Sequence, residues 1–213
     1  MAATGREIAP TIDYLNSNAF TIKDQTLDLL ISGIGLLSSS YELTFRIMND
    51  RPDLIIQAGI AGSFSEAFPP GSTVLVSEEV LGDSGVIEDG IFKDIYDLNL
   101  ANGNSEPFTN KKLVNPTCQL WKKTGLPFGV GVTVNEITTD EKRIAQLKEK
   151  YKADIESMEG AALHFVCLQQ KIPFIQLRTV SNYVGERNKS HWKMEEAITQ
   201  LNKTLITFLQ QLP

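Results

Sequence analysis

Pro52-Asp53-Leu54-Ile55-Ile56-Gln57-Ala58-Gly59-Ile60-Ala61-Gly62-Ser63 sets three consecutive aliphatic residues between a Pro-Asp breaker and a train of small residues. A short continuous apolar run bounded by turn formers is the pattern of a strand covered on both faces. A strand is therefore expected over 54–57. Residues 58–63 are expected as a turn at its carboxyl end, where the absence of bulky side chains lets a ligand come close to the backbone. Similar runs recur at 27–31, 72–78, 128–134 and 174–180, and between them lie amphipathic segments. Helices are expected from near Gly5, over 36–48, over 139–151 with Thr139 as cap, over 158–170 and over 190–212. In the last, Met194, Ala197, Ile198, Leu201, Leu205, Phe208, Leu209 and Leu212 recur at three and four, the stripe of a helix lying on a sheet. Strands alternating with helices predict an α/β fold of one domain, residues 1–213, with a central sheet flanked by helices.

Two stretches break the pattern. Residues 82–116 are rich in Gly, Pro, Asp and Asn and are expected as an unusually long loop, of the kind that serves a site or meets a partner subunit. Residues 181–190 lead from a strand into the last helix. In open α/β sheets ligands bind beyond the carboxyl ends of strands, so this segment and 59–71 are where a site is expected.

The chain has 213 residues, of which 42% are hydrophobic, enough for a substantial core. Twenty Lys and Arg against 26 Asp and Glu leave a formal charge of -6, the wrong sign for a nucleic-acid partner. No apolar run approaches the ~20 residues that span a bilayer, and the N-terminal segment lacks the basic-then-apolar pattern of a secretory signal. A cytoplasmic location is expected. Cys118 and Cys167 are the only cysteines and are read as buried thiols; His164 and His191 have no neighbour at metal-ligand spacing. Neither a metal nor a cofactor is expected, and His164 is read as an ordinary hydrogen-bonded helix residue. Ser32-Gly33-Ile34-Gly35 is a second tight turn, whose N–H groups can hold an anion or a sugar hydroxyl. A dinucleotide fingerprint would need glycine at Ser38 and an acid after the next strand, whereas Asp53 precedes that strand.

Taken together and in order, SGIG (32–35), PDLIIQAGIAGS (52–63), ESMEGAA (156–162) and RTVSN (178–182) closely resemble the nucleoside phosphorylase superfamily, and most of all its hydrolytic branch. That branch includes the 5′-methylthioadenosine/S-adenosylhomocysteine nucleosidases and the futalosine hydrolases. The resemblance implies a nucleoside phosphorylase-like three-layer sandwich with a central mixed sheet flanked by helices, and cleavage of an N-glycosidic bond, without cofactor, in a homo-oligomer. It matches Glu7, in AATGREI, to the base that activates water; by itself Glu7 reads as a first-turn glutamate facing the helix dipole. Family members carry an apolar first strand ahead of that segment, and here Met1-Ala2-Ala3 stands in its place.

The resemblance matches Met158 and Glu159 to the ribose-holding pair, one packing under the sugar and one accepting from its hydroxyls. The alternatives are plain core for Met158 and a solvated face for Glu159. Asn182 replaces the aspartate of adenosine-specific members. An amide donates to a 6-oxo oxygen and accepts from N7–H, so a 6-oxopurine is expected, with a structural amide as the alternative. Ile34, Ile60, Ala61, Gly62 and Ser181 are expected to line the substrate. Arg187 and Trp192 are expected to hold a 5′ substituent ending in a benzoate, or else to be a solvated charge and a core anchor. Gln57 and Ile60 stand where phosphorylases carry anion ligands, so water is the expected nucleophile. The expected reaction is the hydrolysis of futalosine, in menaquinone biosynthesis. A methylthioadenosine or adenosylhomocysteine nucleosidase, a purine nucleoside phosphorylase and a non-catalytic nucleoside binder are the alternatives.

Overall fold

A computed structural model describes residues 1–17 and 26–212. In chain order it holds α1 (Gly5–Ser17), α2 (Leu36–Asn49), β1 (Ile55–Ser63), β2 (Thr73–Leu81), β3 (Gly85–Glu88), β4 (Ile91–Asp94), β5 (Leu113–Val114), β6 (Phe128–Thr133), α3 (Glu141–Tyr151), β7 (Ile155–Ser157), α4 (Gly160–Gln170), β8 (Phe174–Tyr183) and α5 (Met194–Gln210). The main sheet runs β5-β2-β6-β7-β1-β8 and is mixed: β1 is parallel to β8, and β6 is parallel to both β2 and β7. Its far edge curls back so that β8 also pairs antiparallel with β2, Val74 opposite Arg178. The expected central mixed sheet flanked by helices is what forms, with the added feature that five of its strands close into a ring.

Helices cover the ring from two sides. Leu43 and Ile47 of α2 pack with Leu163, Val166 and Cys167 of α4 over Ile55 and Phe174. On the other side Leu201, Leu205, Phe208 and Leu209 of α5 meet Ile8 of α1 over Ala58, Leu75 and Leu177. The buried stripe of α5 is the expected one, with Asn202 added as its one polar member. Asn202 Oδ1 accepts from the Thr11 amide at 3.0 Å and from its hydroxyl at 2.6 Å. Its Nδ2 donates to the carbonyl of Glu7 at 2.8 Å, so α5 staples down the first turn of α1.

Several expectations need correction. Residues 27–31 form no strand; among the described residues Ile31 alone makes a bridge, to Ala2, after which the partner segment turns into α1. Met1 and Ala2 lie between that stretch and β1, Ala2 N donating to Leu30 O and Ala58 N to Met1 O, each at 3.0 Å. The expected turn at 58–63 is instead the second half of β1, its small residues being accommodated as strand. Residues 82–116 contain the β3–β4 hairpin and β5 rather than a bare loop. The cap of α3 is Asp140, not Thr139: its carboxylate accepts from Arg143 N at 2.8 Å, and a charged acceptor suits a helix N-terminus better than a hydroxyl. α4 begins at Gly160, two residues later than expected, and α5 at Met194, after a short 3₁₀ turn over Lys189–His191. His164 is fully buried and its Nδ1 bonds the Leu113 carbonyl at 3.0 Å, as a core histidine should.

Candidate active site

β8 carries Arg178 in the middle of an apolar run, and the residue is 1% exposed. A guanidinium cannot be neutralised by losing its proton, so burial obliges the fold to surround it with acceptors. Arg178 Nη2 donates to Gln57 Oε1 at 2.9 Å, and Nη1 faces Ile60 O and Glu159 Oε2, each at 3.5 Å. Removing one partner of such a buried ion pair costs about 3–5 kcal/mol. Among the residues matched above, Arg178 had been assigned no role. The signal was present nonetheless, since a lone arginine inside a strand that reads as core has to be paired.

The Glu7 carboxylate is buried in the same place. Oε2 accepts from the Thr4 amide at 2.9 Å and the Thr4 hydroxyl at 3.0 Å, and Oε1 from Ile60 N at 3.2 Å. Three donors fix its direction. Gly59 lies directly beneath: a Cβ there would fall 2.3 Å from Arg178 Nη1 and 3.1 Å from Glu7 Oε1. Carboxylate and guanidinium thus converge on one small volume over a residue without a side chain, an arrangement that can hold a water between acceptor and donor.

Glu159 completes this cluster. It is 6% exposed, which removes the solvated-face alternative; its Oε1 accepts from Gly35 N at 3.0 Å and its carbonyl from Gln57 Nε2 at 3.4 Å. Gly35 has φ of 89°, a conformation that favours glycine, and the turn that contains it delivers this N–H to the carboxylate. SGIG, AGIAGS, MEG and RTVSN are therefore joined by hydrogen bonds. Gln57 does stand where the expected arginine is missing, but Arg178 supplies a cation beside it, already paired with Glu159.

The expected purine-reading segment is set by a bulge. β1 and β8 keep register from Ile55 opposite Phe174 to Ala61 opposite Val180, after which Gly62 faces Asn182, so Ser181 is the extra residue. A bulge re-aims the side chains that follow it. Ser181 Oγ donates to Asn182 Oδ1 at 2.7 Å, and Asn182 Nδ2 donates to Tyr183 O at 2.8 Å, leaving one N–H and one lone pair of the amide open. Ile60 and Gly62 are half-buried on β1, Ala61 is buried and Met158 is half-buried; Ile34, in the glycine turn, is exposed. Arg187 and Trp192 come together, the guanidinium 5.6 Å from the ring centre, while Trp192 Nε1 donates to Glu186 O at 2.9 Å. A hollow of about 670 Å³ opens elsewhere, between Tyr96, Leu100, Asn104 and Lys111, and its lining holds no carboxylate. Among the described residues no cluster of His, Cys, Asp and Glu could hold a metal.

Residues 19–212 match the model of the phosphorylase superfamily, and the chain belongs to that superfamily. Within it, the chain is an N-glycosyl hydrolase of the nucleosidase kind. Its relatives include the futalosine hydrolase of Streptomyces coelicolor, 31% identical over 82% of this chain and 74% of that one, and the futalosine hydrolase of Thermus thermophilus, 29% identical over 85% and 80%. The aminodeoxyfutalosine nucleosidase of Campylobacter jejuni is 25% identical over 100% of this chain and 96% of its own. The structure of Helicobacter pylori futalosine hydrolase shares the fold with a TM-score of 0.77 at 18% identity, covering 99% of this chain and 96% of that one.

The convergence over Gly59 makes a test that touches neither charged group. Gly59→Ala should push the guanidinium off its partners and crowd Glu7, lowering kcat/KM by roughly 10-fold or more, as misplacement of reacting groups does. Steady-state kinetics on the folded variant, with unchanged kcat/KM, would dissociate this cluster from the chemistry.

Proposed function

We propose that the chain, as a single nucleosidase domain, hydrolyses a 5′-substituted 6-oxopurine nucleoside, futalosine, to hypoxanthine and dehypoxanthine futalosine, and so serves menaquinone biosynthesis. The observation that carries this reading is the convergence of Glu7 and Arg178 beside Glu159, with an amide at 182. A water over Gly59 donates to Glu7 Oε1 and is oriented by Arg178 Nη1. As the C1′–N9 bond breaks, the ribosyl group gains oxocarbenium character, which the anionic Glu159 offsets while holding the ribose hydroxyls. The water oxygen then bonds C1′ and its proton passes to Glu7. The base leaves as N7 takes up a proton from solvent; its N7–H donates a hydrogen bond to the Asn182 carbonyl and its O6 accepts one from the Asn182 amide, while Glu7 returns its proton to solvent, so the hydrolysis balances. Met158 packs against the sugar, and Ile34, Ile60, Ala61, Gly62 and Ser181 enclose the nucleoside. Arg187, stacked on Trp192, pairs the terminal carboxylate of the 5′ substituent.

Incubation with futalosine, inosine and 5′-methylthioadenosine, with and without phosphate, tests the reading. Hypoxanthine and a free sugar should form from futalosine regardless of phosphate. Ribosyl phosphate as product would make the enzyme a phosphorylase, and adenine released from methylthioadenosine in preference would reverse the base assignment. Glu7→Gln should lower kcat by roughly 10²-fold or more, the range general-base catalysis supplies; near-normal turnover would remove Glu7 from the mechanism.

Specificity should divide between two residues. Asn182→Asp should weaken turnover of hypoxanthine nucleosides and gain some on adenine ones. Arg187→Ala should raise KM for futalosine by an amount worth ~1.5–3 kcal/mol while sparing inosine, the range for a hydrogen bond to a charged group. Equal effects on all substrates would deny both roles.

A homo-oligomer, most simply a dimer, and a cytoplasmic location belong to the same proposal. Leu37, Tyr41, Phe45 and Met48 make one face of α2 and are 57–87% exposed, a continuous apolar stripe beginning just beyond Ile34 of the site. That face supports burial against a second copy. The two free thiols, both buried, fit a reducing compartment. Sedimentation as an active monomer would contradict the oligomer.

A further inference from the structure

Behind the catalytic cluster lies a second buried carboxyl that the chemistry above does not use. β2 loses register with β6 between Val76 and Glu78, the extra residue being Ser77, and the shift sets Glu79 opposite Gly131 with its side chain turned inward and 0% exposed. The carboxyl fills space that two glycines leave vacant: a Cβ at Gly131 would lie 2.3 Å from Glu79 Oε1, and one at Gly160 only 1.9 Å. Gly160 adjoins Glu159 and opens α4. Its lack of a side chain therefore serves this internal carboxyl, not a ligand.

The hydrogen bonds around Glu79 run in a line. The Ala161 amide, at the head of α4, donates to Thr133 Oγ1 at 2.7 Å, and that hydroxyl donates to Glu79 Oε2 at 3.0 Å. Glu79 Oε1 lies 2.9 Å from the side-chain amide of Gln176, the same amide that is the hydrogen-bonding neighbour of His164. His164 Nδ1 gives its hydrogen to Leu113 O. If the Gln176 nitrogen faces Glu79, the line breaks, because Gln176 Oε1 and His164 Nε2 are both left buried without a partner. The two ends of an amide are isosteric, so the neighbours decide its orientation. Turned over, Gln176 Nε2 donates to His164 Nε2, and Gln176 Oε1 needs a donor from Glu79. Only a protonated carboxyl supplies one.

We propose that Glu79 is a neutral carboxylic acid that completes an unbroken chain of hydrogen bonds from Leu113 O through His164, Gln176 and Thr133 to Ala161 N, and that this chain positions the head of α4, and with it Glu159. Its bearing on catalysis rests on the reading of Glu159 as the ribose ligand. Burial acts in the same direction, lifting the Glu79 carboxyl to about 7 and depressing His164 to about 4. The charged groups facing Glu79 are Arg178 from β8 and Glu159 ahead of α4, of opposite sign.

The acid can be tested apart from activity. A carboxyl raised in the folded state binds more protons there than when unfolded, so its contribution to stability declines as pH rises from the unfolded value toward the folded one. Between about pH 5 and pH 7 wild type should lose Tm relative to Glu79→Gln, which keeps a donor and an acceptor but cannot ionise. Wild type gaining on Glu79→Gln with rising pH would mean a structural carboxylate and overturn the proposal. In kinetics, Glu79→Gln should hold kcat/KM within about threefold, and Thr133→Val, which cuts the link to Ala161 at constant volume, should raise KM by roughly tenfold with Thr133→Ser restoring it. A tenfold loss in folded Glu79→Gln, or unchanged KM in folded Thr133→Val, would likewise overturn it. Failure of the ribose reading would show separately, as an unchanged KM in Glu159→Gln.

Discussion

A guanidinium held away from water is the constraint around which this molecule is arranged. Arg178 cannot discharge, so Gln57, the carbonyl of Ile60 and the carboxylate of Glu159 have to be brought to it, from β1 and the lead into α4. The parallel pairing of β1 with β8 sets Gly59 opposite Arg178, and the absence of a side chain there lets the guanidinium lie across the neighbouring strand. Pairing one charge thereby gathers the elements that the proposed hydrolysis uses. Glu159 is held from its other oxygen by Gly35 N, so the pairing also fixes the turn that leads into α2.

Polar residues inside the strand ring are costly unless each is satisfied. Here they are grouped: Glu7, Gln57, Glu79, Thr133, Glu159, Gln176, Arg178 and Ser181 are all buried, most of them on β1, β2, β6 and β8. Side chains on paired strands have few ways to move. In the proposed reaction such a site spends little on reorganisation when charge develops on the sugar, because its dipoles are already oriented.

The sequence was most informative where a feature is local. The buried runs that became β1, β2, β6 and β8, the stripe of α5 and the linked glycine motifs can all be read from residue type and spacing. Features that depend on a distant partner could not be. Residues 27–31 look like a strand, yet the segment beside them turns into α1 just after Ala2 meets Ile31. Residues 58–63 look like a turn because small residues weaken a strand in isolation, yet β8 holds them in register. The β3–β4 hairpin hides behind a composition rich in Gly and Asp. Glu7, Glu159 and Asn182 were singled out by resemblance, whereas the bulges at Ser77 and Ser181 that aim Glu79 and Asn182 have no signature in a single strand.

The staple formed by Asn202 couples two helices that lie far apart in sequence. The amide at position 202 pins the first turn of α1 through the Glu7 carbonyl and Thr11, so α5 and the turn that aims the Glu7 carboxylate are held as one unit. A break in that staple would loosen the aim of the carboxylate while leaving every charged group of the buried cluster in place. Local opening of α5 is therefore felt at the Glu7 carboxylate, and α1 and α5 open together.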